Sequence, residues 1–525
     1  MKKINKLIVL SAALFFMAAC DDGFDKINTD PQAILTVSDP GLLFTNALRN
    51  TNTFGNWQGE STIVQQFVLP YNLGTTAGYQ FNQNVDSENS APFNVYTGNT
   101  RTIQVLIDYV KDNPARTNLY NMARIWKALH FMNLVDHYGD IPYSEASKGS
   151  TAAIFYPKYD KGSAVYDDLY KELKEATAAL DPAKDNNSRF DIFVAAGGAT
   201  ATEITLWKRL GYSIMLRLGM RYSKLDQTKA KTIVQDAFAG GVMQSNADNA
   251  VVANMTGTSA SPVPITGYTN GRNGIRGTNP FNYYLAEPFV NQLKSTLDPR
   301  MKFICAKYPD PGTSPGNTNP DVTFANQFGF PIGYDASTKL PPGYRGAQGA
   351  GINYSQLHWN ITGNTTTPQI VISYAQVSLM LAEAAFRGWL TGGLTAQTYY
   401  QNGITASMDS YTVYPNTVPI TTAEKTAYLA QVGVAYDPTN ALKQINTQYW
   451  IECFNNGAEA WANWRRSGFP ALSPNTYDNS LNGGFIRRYS YPLGEHTNNG
   501  ANWNDAVANL GGPDFLTTRI FWDIP

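Results

Sequence analysis

The chain has 525 residues, with 40 basic against 41 acidic side chains and a formal charge of −1. It has no basic run or stripe, which argues against nucleic acid as a partner, and beyond the first twenty residues no apolar run approaches the ~18 residues of a membrane span. Charged residues are only 15% and aromatic ones 13%, with 31 Tyr and 10 Trp, a balance that suits a neutral, hydroxyl-rich ligand but also a large core lined by tyrosines with wet hydroxyls.

The start of the chain reads as a removable secretion signal over residues 1–19. Lys2, Lys3 and Lys6 are cationic, Leu7 to Phe16 is apolar but too short to span, and Met17, Ala18 and Ala19 are compact enough for a peptidase. Cys20 follows, as in a bacterial lipobox, so cleavage would leave it as a lipidated N-terminus. Acyl chains bury at ~0.8 kcal/mol per CH2, so two or three hold a large soluble body on a membrane. The other cysteines, Cys305 and Cys453, lie far apart and are expected to be two unpaired thiols.

Residues 21–40 read as an extended leash. Asp39 and Pro40 then open a helix with Leu42, Leu43, Ala47 and Leu48 on one side, and residues 61–68 give a second short helix. Residues 70–94 show no period and read as loop. Residues 118–138 are the strongest helix, with Leu119, Met122, Trp126 and Leu129 in one stripe and Ile125, Met132 and Val135 in another. Gly139 stops it. Residues 163–180 follow and stop at Asp181-Pro182. Thr200 with Glu203 has the form of a capping box for a helix to residue 222. Asp226 caps the next, which Gly240-Gly241 ends. Helices are also expected over 371–387 and 395–411, then from Thr421, whose Glu424 completes a second capping box, and over 440–466, with a possible break at Gly457. Four pairs result: 118–138 with 163–180, 200–222 with 226–239, 371–387 with 395–411, and 421–434 with 440–466. The fold class is therefore mainly α, with tetratricopeptide-like stacking of helix pairs. Residues 251–370 interrupt it with long Gly, Pro, Asn and Thr-rich stretches, expected to form an irregular lobe inside one domain whose scaffold is 39–250 and 371–525.

Catalytic chemistry is hard to assemble. His130 and His137 are seven residues apart, whereas metal chelation on a helix wants four, so both read as structural. His358 and His496 have no nearby Cys or His. Residues 312–316 match G-x-S-x-G, but Pro315 has no N–H to give an oxyanion. Asp136, Asp140 and Glu145 cluster at a helix end, where a glycosidase-like carboxylate pair competes with ordinary capping and salt bridging. No cofactor fingerprint is present. A binding surface is easier to support. Sugars offer apolar C–H faces to aromatic rings and hydroxyls to amides and Arg. Two loops hold that mixture: one with Tyr71, Tyr79 and Phe81, the other with Tyr344, Arg345, Tyr354 and Trp359.

Six segments then carry a resemblance: residues 24–31 (FDKINTDP), 123–146 (ARIWKALHFMNLVDHYGDIPYSEA), 374–388 (YAQVSLMLAEAAFRG), 400–408 (YQNGITASM), 448–472 (QYWIECFNNGAEAWANWRRSGFPAL) and 487–492 (RRYSYP). With the tail GGPDFLTTRIFWD, they make the chain resemble the SusD/RagB family of Bacteroidota surface lipoproteins, in its second SusD-like subfamily. Asp21 and Asp22 behind Cys20 look like the surface-export signal of such lipoproteins. The resemblance implies a helical scaffold of four tetratricopeptide-like units, a loop-rich ligand lobe, no catalysis, and no cofactor. It also implies a lid role on a SusC-like TonB-dependent transporter at the outer membrane, facing the exterior and capturing oligosaccharides or, in some branches, peptides. Glu383, Trp461, Arg465 and Arg466 match family positions and read as packing and ion pairs, with bidentate Arg–carboxylate contact as their expected use.

Overall fold

The computed structural model describes residues 39–49, 57–68, 89–194, 197–253, 284–308, 320–334, 341–345, 354–362, 364, 366–474, 481 and 484–525. Residues Gly41–Pro525 make one compact unit, and Met1–Pro40 a separate one of which only Asp39 and Pro40 are described. The signal, the leash and Cys20 therefore lie outside the described residues.

The helices run in chain order as α1 (Gly41–Arg49), α2 (Trp57–Ile63), α3 (Asn99–Val110), α4 (Thr117–Tyr138), α5 (Gly162–Ala179), α6 (Thr200–Arg221), α7 (Gln227–Gly240) and α8 (Glu287–Ser295). They continue as α9 (Tyr374–Phe386), α10 (Ala396–Ser410), α11 (Thr422–Leu429), α12 (Ala441–Glu452), α13 (Gly457–Ser467), α14 (Leu493–Asn498) and α15 (Gly500–Asn509). Neighbouring helices pack in sequence order: α4 on α5, α5 on α6, α6 on α7, and α9 on α10. These are the first three helix pairs expected from the periodicity; in place of the fourth, α12 packs on α9 and α13 rather than chiefly on α11. Both stripes of α4 are buried, because α3 covers one side and α5 another. Gly211 allows α5 and α6 to close, since a Cβ there would stand 2.2 Å from Thr177 Oγ1.

Several boundaries differ from the expectation. The Thr200–Glu203 capping box does not form. Ala199 occupies the cap position without a side-chain bond, and Glu203 instead accepts the backbone N–H of Asn187 at 2.9 Å. The Thr421–Glu424 box and the Asp226 cap do form. The break expected in 440–466 is present, with α13 restarting at Gly457. Helix α2 ends at Ile63 and residues 67–68 are strand. Leu42 points to solvent and is 56% exposed, while Phe44 takes the buried position on α1. Residues 371–372 belong to a strand, and Ser373 with Gln376 then caps α9.

Eight short strands pair antiparallel in four two-stranded ribbons among the described residues: β1 (Phe67–Val68) with β5 (Tyr284–Leu285), β2 (Ile141–Pro142) with β3 (Tyr159–Asp160), β4 (Ala250–Val252) with β8 (Gln369–Ile372), and β6 (Cys305–Ala306) with β7 (Gln356–Leu357). Three of these ribbons lash the middle segment of the chain together or tie it to the scaffold. Cys305 and Cys453 are buried free thiols. Among the described residues no helix is long and apolar enough to cross a membrane.

Candidate functional site

The conspicuous acids of the sequence are part of the scaffold. Asp136 is buried and accepts bonds from Arg221 Nη2 at 3.2 Å, from Trp522 Nε1 at 3.0 Å and from the Tyr166 hydroxyl. Arg221 also meets Glu459 at 2.6 Å, and Tyr449 donates to the same carboxylate at 2.8 Å. Asp140 accepts the Gly162 N–H at 2.8 Å and Glu145 the Lys158 N–H at 2.9 Å. Each of these acids is thus engaged in structural bonds of the scaffold. His137 bridges Glu60 and the Asn133 carbonyl, while His130, lowered by burial to about 3, sits as a neutral ring 2.8 Å from the Asn99 amide.

The buried Arg466 fork meets Glu383 with two contacts of 2.8 Å. Burial raises the Glu383 pKa, but the Arg466 charge and hydrogen bonds outweigh that and hold it at about 2. Arg465 departs from the expected carboxylate pairing. Its guanidinium donates to the carbonyls of Asp136 and Arg487, each at 2.7 Å, and lies 3.8 Å over the Trp461 ring.

The candidate site lies in the loop-rich segment. Its floor is a second apolar cluster of Val68, Tyr284, Phe330 and Tyr354, with Tyr334 and Tyr344 packed against it. The β1–β5 register places Val68 opposite Tyr284. The 328–330 strip is then stitched to β5 by Phe330 N–H to Leu285 carbonyl at 2.8 Å and Glu287 N–H to Phe330 carbonyl at 2.9 Å. Gly329 is required at this crossing, because a Cβ there would stand 2.4 Å from Glu287 Cα. Ser355 fixes the other side. Its N–H donates to the Phe328 carbonyl at 2.7 Å, and its hydroxyl accepts the Phe328 N–H at 2.9 Å while donating to Gln327.

Three of the seven expected ligand residues come together on this floor. Tyr354 is 4% exposed, so its ring is support; it stands 4.8 Å from Phe330 and 5.8 Å from Tyr344. Tyr344 is half-buried above it. Arg345 is exposed; its N–H donates to the Tyr354 hydroxyl at 3.3 Å, and its guanidinium lies 3.9 Å over the Phe328 ring. Lys294 Nζ approaches the same ring at 4.4 Å, held by the Gln327 carbonyl at 2.8 Å. Trp359 does not join the group. It opens a short helical turn and donates its backbone N–H to the Tyr308 hydroxyl at 2.8 Å. Tyr71, Tyr79 and Phe81 lie outside the described residues.

Phe328, Phe330 and Lys294 were not legible as site residues. The Phe-Gly-Phe alternation at 328–330 was the available signal, since it places two rings on one face of an extended strip. The result is a ridge with a half-buried phenol, a cation stacked on a ring, and a rigid aromatic base. It can offer a flat apolar face and charged hydrogen-bond donors side by side. Among the described residues no group of three His, Cys, Asp or Glu could hold a metal ion.

Comparison with known proteins agrees with this architecture. The chain is similar in structure to a Bacteroidetes SusD-like protein, AC2a, with a TM-score of 0.80 and 27% identity over 93% of this chain and all of the other. It is similar to a structure described as a chitin-binding protein, with a TM-score of 0.73 and 26% identity over the same shares. A chitin-binding SusD homologue from Flavobacterium johnsoniae shares the fold at 22% identity and a TM-score of 0.70, over 92% of this chain and 97% of that one. No curated protein matches the chain. The second SusD-like family, described as starch-binding and associating with the outer membrane, matches residues 31–492. Its members are binding proteins and not enzymes, and this chain belongs to that SusD-like family.

Proposed function

We propose that this protein is a cell-surface lipoprotein, anchored through Cys20, that captures oligosaccharides and hands them to a SusC-like TonB-dependent transporter in the outer membrane. The observation that carries the glycan reading is the lobe ridge of Tyr344, Arg345 and Phe328, where a stacked guanidinium and a supported phenol stand at the surface. A pyranose would lay its C–H face on the aromatic edge and give its hydroxyls to Arg345 and to the Tyr344 hydroxyl. The family description as starch-binding and the chitin-binding relatives support the same ligand class. Tyr71, Tyr79, Phe81 and Trp359 remain further ligand candidates of the same reading. The 20–525 body is taken as a single domain.

Calorimetric titration of the soluble body with maltohexaose and with chitohexaose tests the proposal. At least one hexasaccharide is expected to bind, and Tyr344→Ala with Arg345→Ala is expected to abolish one bound equivalent while the far-UV circular dichroism stays unchanged. Failure of both sugars together with binding of peptides would overturn the glycan reading. Mass spectrometry of the membrane-extracted protein is expected to show acylated Cys20, and co-purification from the outer membrane to show the transporter. An unmodified Cys20 or a solitary protein would overturn the anchoring or the delivery.

A further inference from the structure

The scaffold carries an open groove of about 540 Å3, sharing no lining residue with the lobe ridge, between the turn at Ser245–Ala247 and helices α9 and α10. That volume falls in the ~300–1,000 Å3 range of small-molecule sites. One wall is a single face of α10: Asn402, Thr405 and Asp409 are spaced by three and four residues and so line up along successive turns. The opposite wall is held in place by Asn246, whose amide donates to the Ala406 carbonyl at 2.9 Å. Tyr374, the first residue of α9, closes one end, and its N–H is tied to Asn249 Oδ1 at 2.7 Å.

The chemistry of this wall is specific. The side chains of Asn402, Thr405 and Tyr374 are half-exposed and make no hydrogen bond within the described residues. On a helix, a threonine hydroxyl has the carbonyl four residues back within reach, as Thr205, Thr232 and Thr497 show here; Thr405 leaves its hydroxyl unused. The charge of Asp409 is met by Lys425. An amide, two hydroxyls, one aromatic ring and a neutralised carboxylate therefore converge on one concave space with no net charge. An ionic ligand would find no uncompensated partner there, and an apolar one would strand the polar groups. A neutral polyhydroxylated ligand satisfies both sides.

We propose that this groove is a second oligosaccharide site, separate from the lobe ridge, in which Asn402, Thr405 and Asp409 bond sugar hydroxyls and Tyr374 packs against a ring. It rests on the glycan reading of the protein. A second contact on the same glycan chain raises its capture through effective concentration without strengthening either site.

Bound equivalents of maltohexaose and chitohexaose, measured on the full soluble body, decide it. Wild type is expected to take two equivalents, Asn402→Ala with Thr405→Ala one, and Tyr344→Ala with Arg345→Ala one. If the groove double variant loses thermal stability, Thr405→Val alone, close in shape and lacking the hydroxyl, is expected to weaken the second equivalent at least fivefold at unchanged melting temperature. One equivalent in wild type, removed only by the lobe variant, overturns the groove and leaves the proposed function standing. One equivalent removed only by the groove variant supports the groove and overturns the lobe assignment. No equivalent of either sugar overturns the groove, and binding of peptides in their place overturns the glycan reading as well.

Discussion

The interior of the helical scaffold and the ridge of the lobe use the same residue types to opposite ends. In the scaffold, Arg466 and Glu383 are about 2% and 1% exposed and saturate one another with two 2.8 Å contacts. In the lobe, Arg345 is exposed, and among the described residues it meets the Phe328 ring and the Tyr354 hydroxyl. A buried guanidinium must be fully paired, because an unpaired buried charge is strongly destabilising. An exposed one keeps its donors free for a ligand. The buried ion pairs of the recurrent motifs thus hold shape, whereas the exposed guanidinium of the irregular lobe keeps donors available at the surface.

The sharpest way to break this contrast is to unpair the scaffold. Arg466→Ala leaves Glu383 buried without its partner, and such losses cost about 3–5 kcal/mol. Thermal unfolding should drop far more than for any ridge variant, while glycan affinity of the folded fraction stays the same. A ridge variant with an equal loss would erase the distinction. Next in size is Gly329→Ala. Its added methyl meets the backbone of Glu287 at 2.4 Å, an overpacking of about 1–3 kcal/mol. It should lower both stability and ligand binding, since Phe328 and Phe330 flank it, which chemical denaturation and titration would read together.

A third test uses pH. Glu383 is held at about 2, below its ordinary 4.5, so the stability it contributes is complete above pH 4.5 and is lost as pH falls toward 2. Glu203 behaves oppositely. Burial, opposed by the Asn187 N–H and reinforced by Asp191 and Asp185, raises it to about 7. Its protonated form fits the fold, so its contribution is complete below pH 4.5 and is lost as pH rises through 7. Melting curves should therefore show Glu203→Gln gaining on wild type between pH 5 and 8, with the gain vanishing below 4.5. A gain independent of pH would contradict the assignment. The smallest effect belongs to Arg345→Ala, which should leave the melting temperature unchanged within error while weakening hexasaccharide binding several-fold.

Much of the scaffold was legible because its helices carry wide apolar stripes and strong stops. Gly139, with φ of +86°, and Gly241, at +95°, end α4 and α7 where a side chain would be strained. What was missed lacked such marks. Helix α3 begins with Asn-Thr-Arg-Thr and follows Gly98, which gives no side-chain cap. Helix α8 is short and lies between two stretches, 251–280 and 309–370, whose composition reads as loop. The Thr200–Glu203 box failed because a tertiary partner, the Asn187 N–H, took the carboxylate that the local motif required. The site divided in the same way. Tyr344, Arg345 and Tyr354 lie close in sequence and were named from composition, whereas Lys294 and Phe328 reach them only through the chain crossing at Gly329 and the Ser355 bonds.

Hydroxyl-radical footprinting with and without the bound hexasaccharide addresses the ridge most directly. Phe328 and Tyr344 should react at least several-fold more slowly when sugar is bound, while the buried Trp461 stays unchanged. Bound sugar with no protection at either ring would contradict the account.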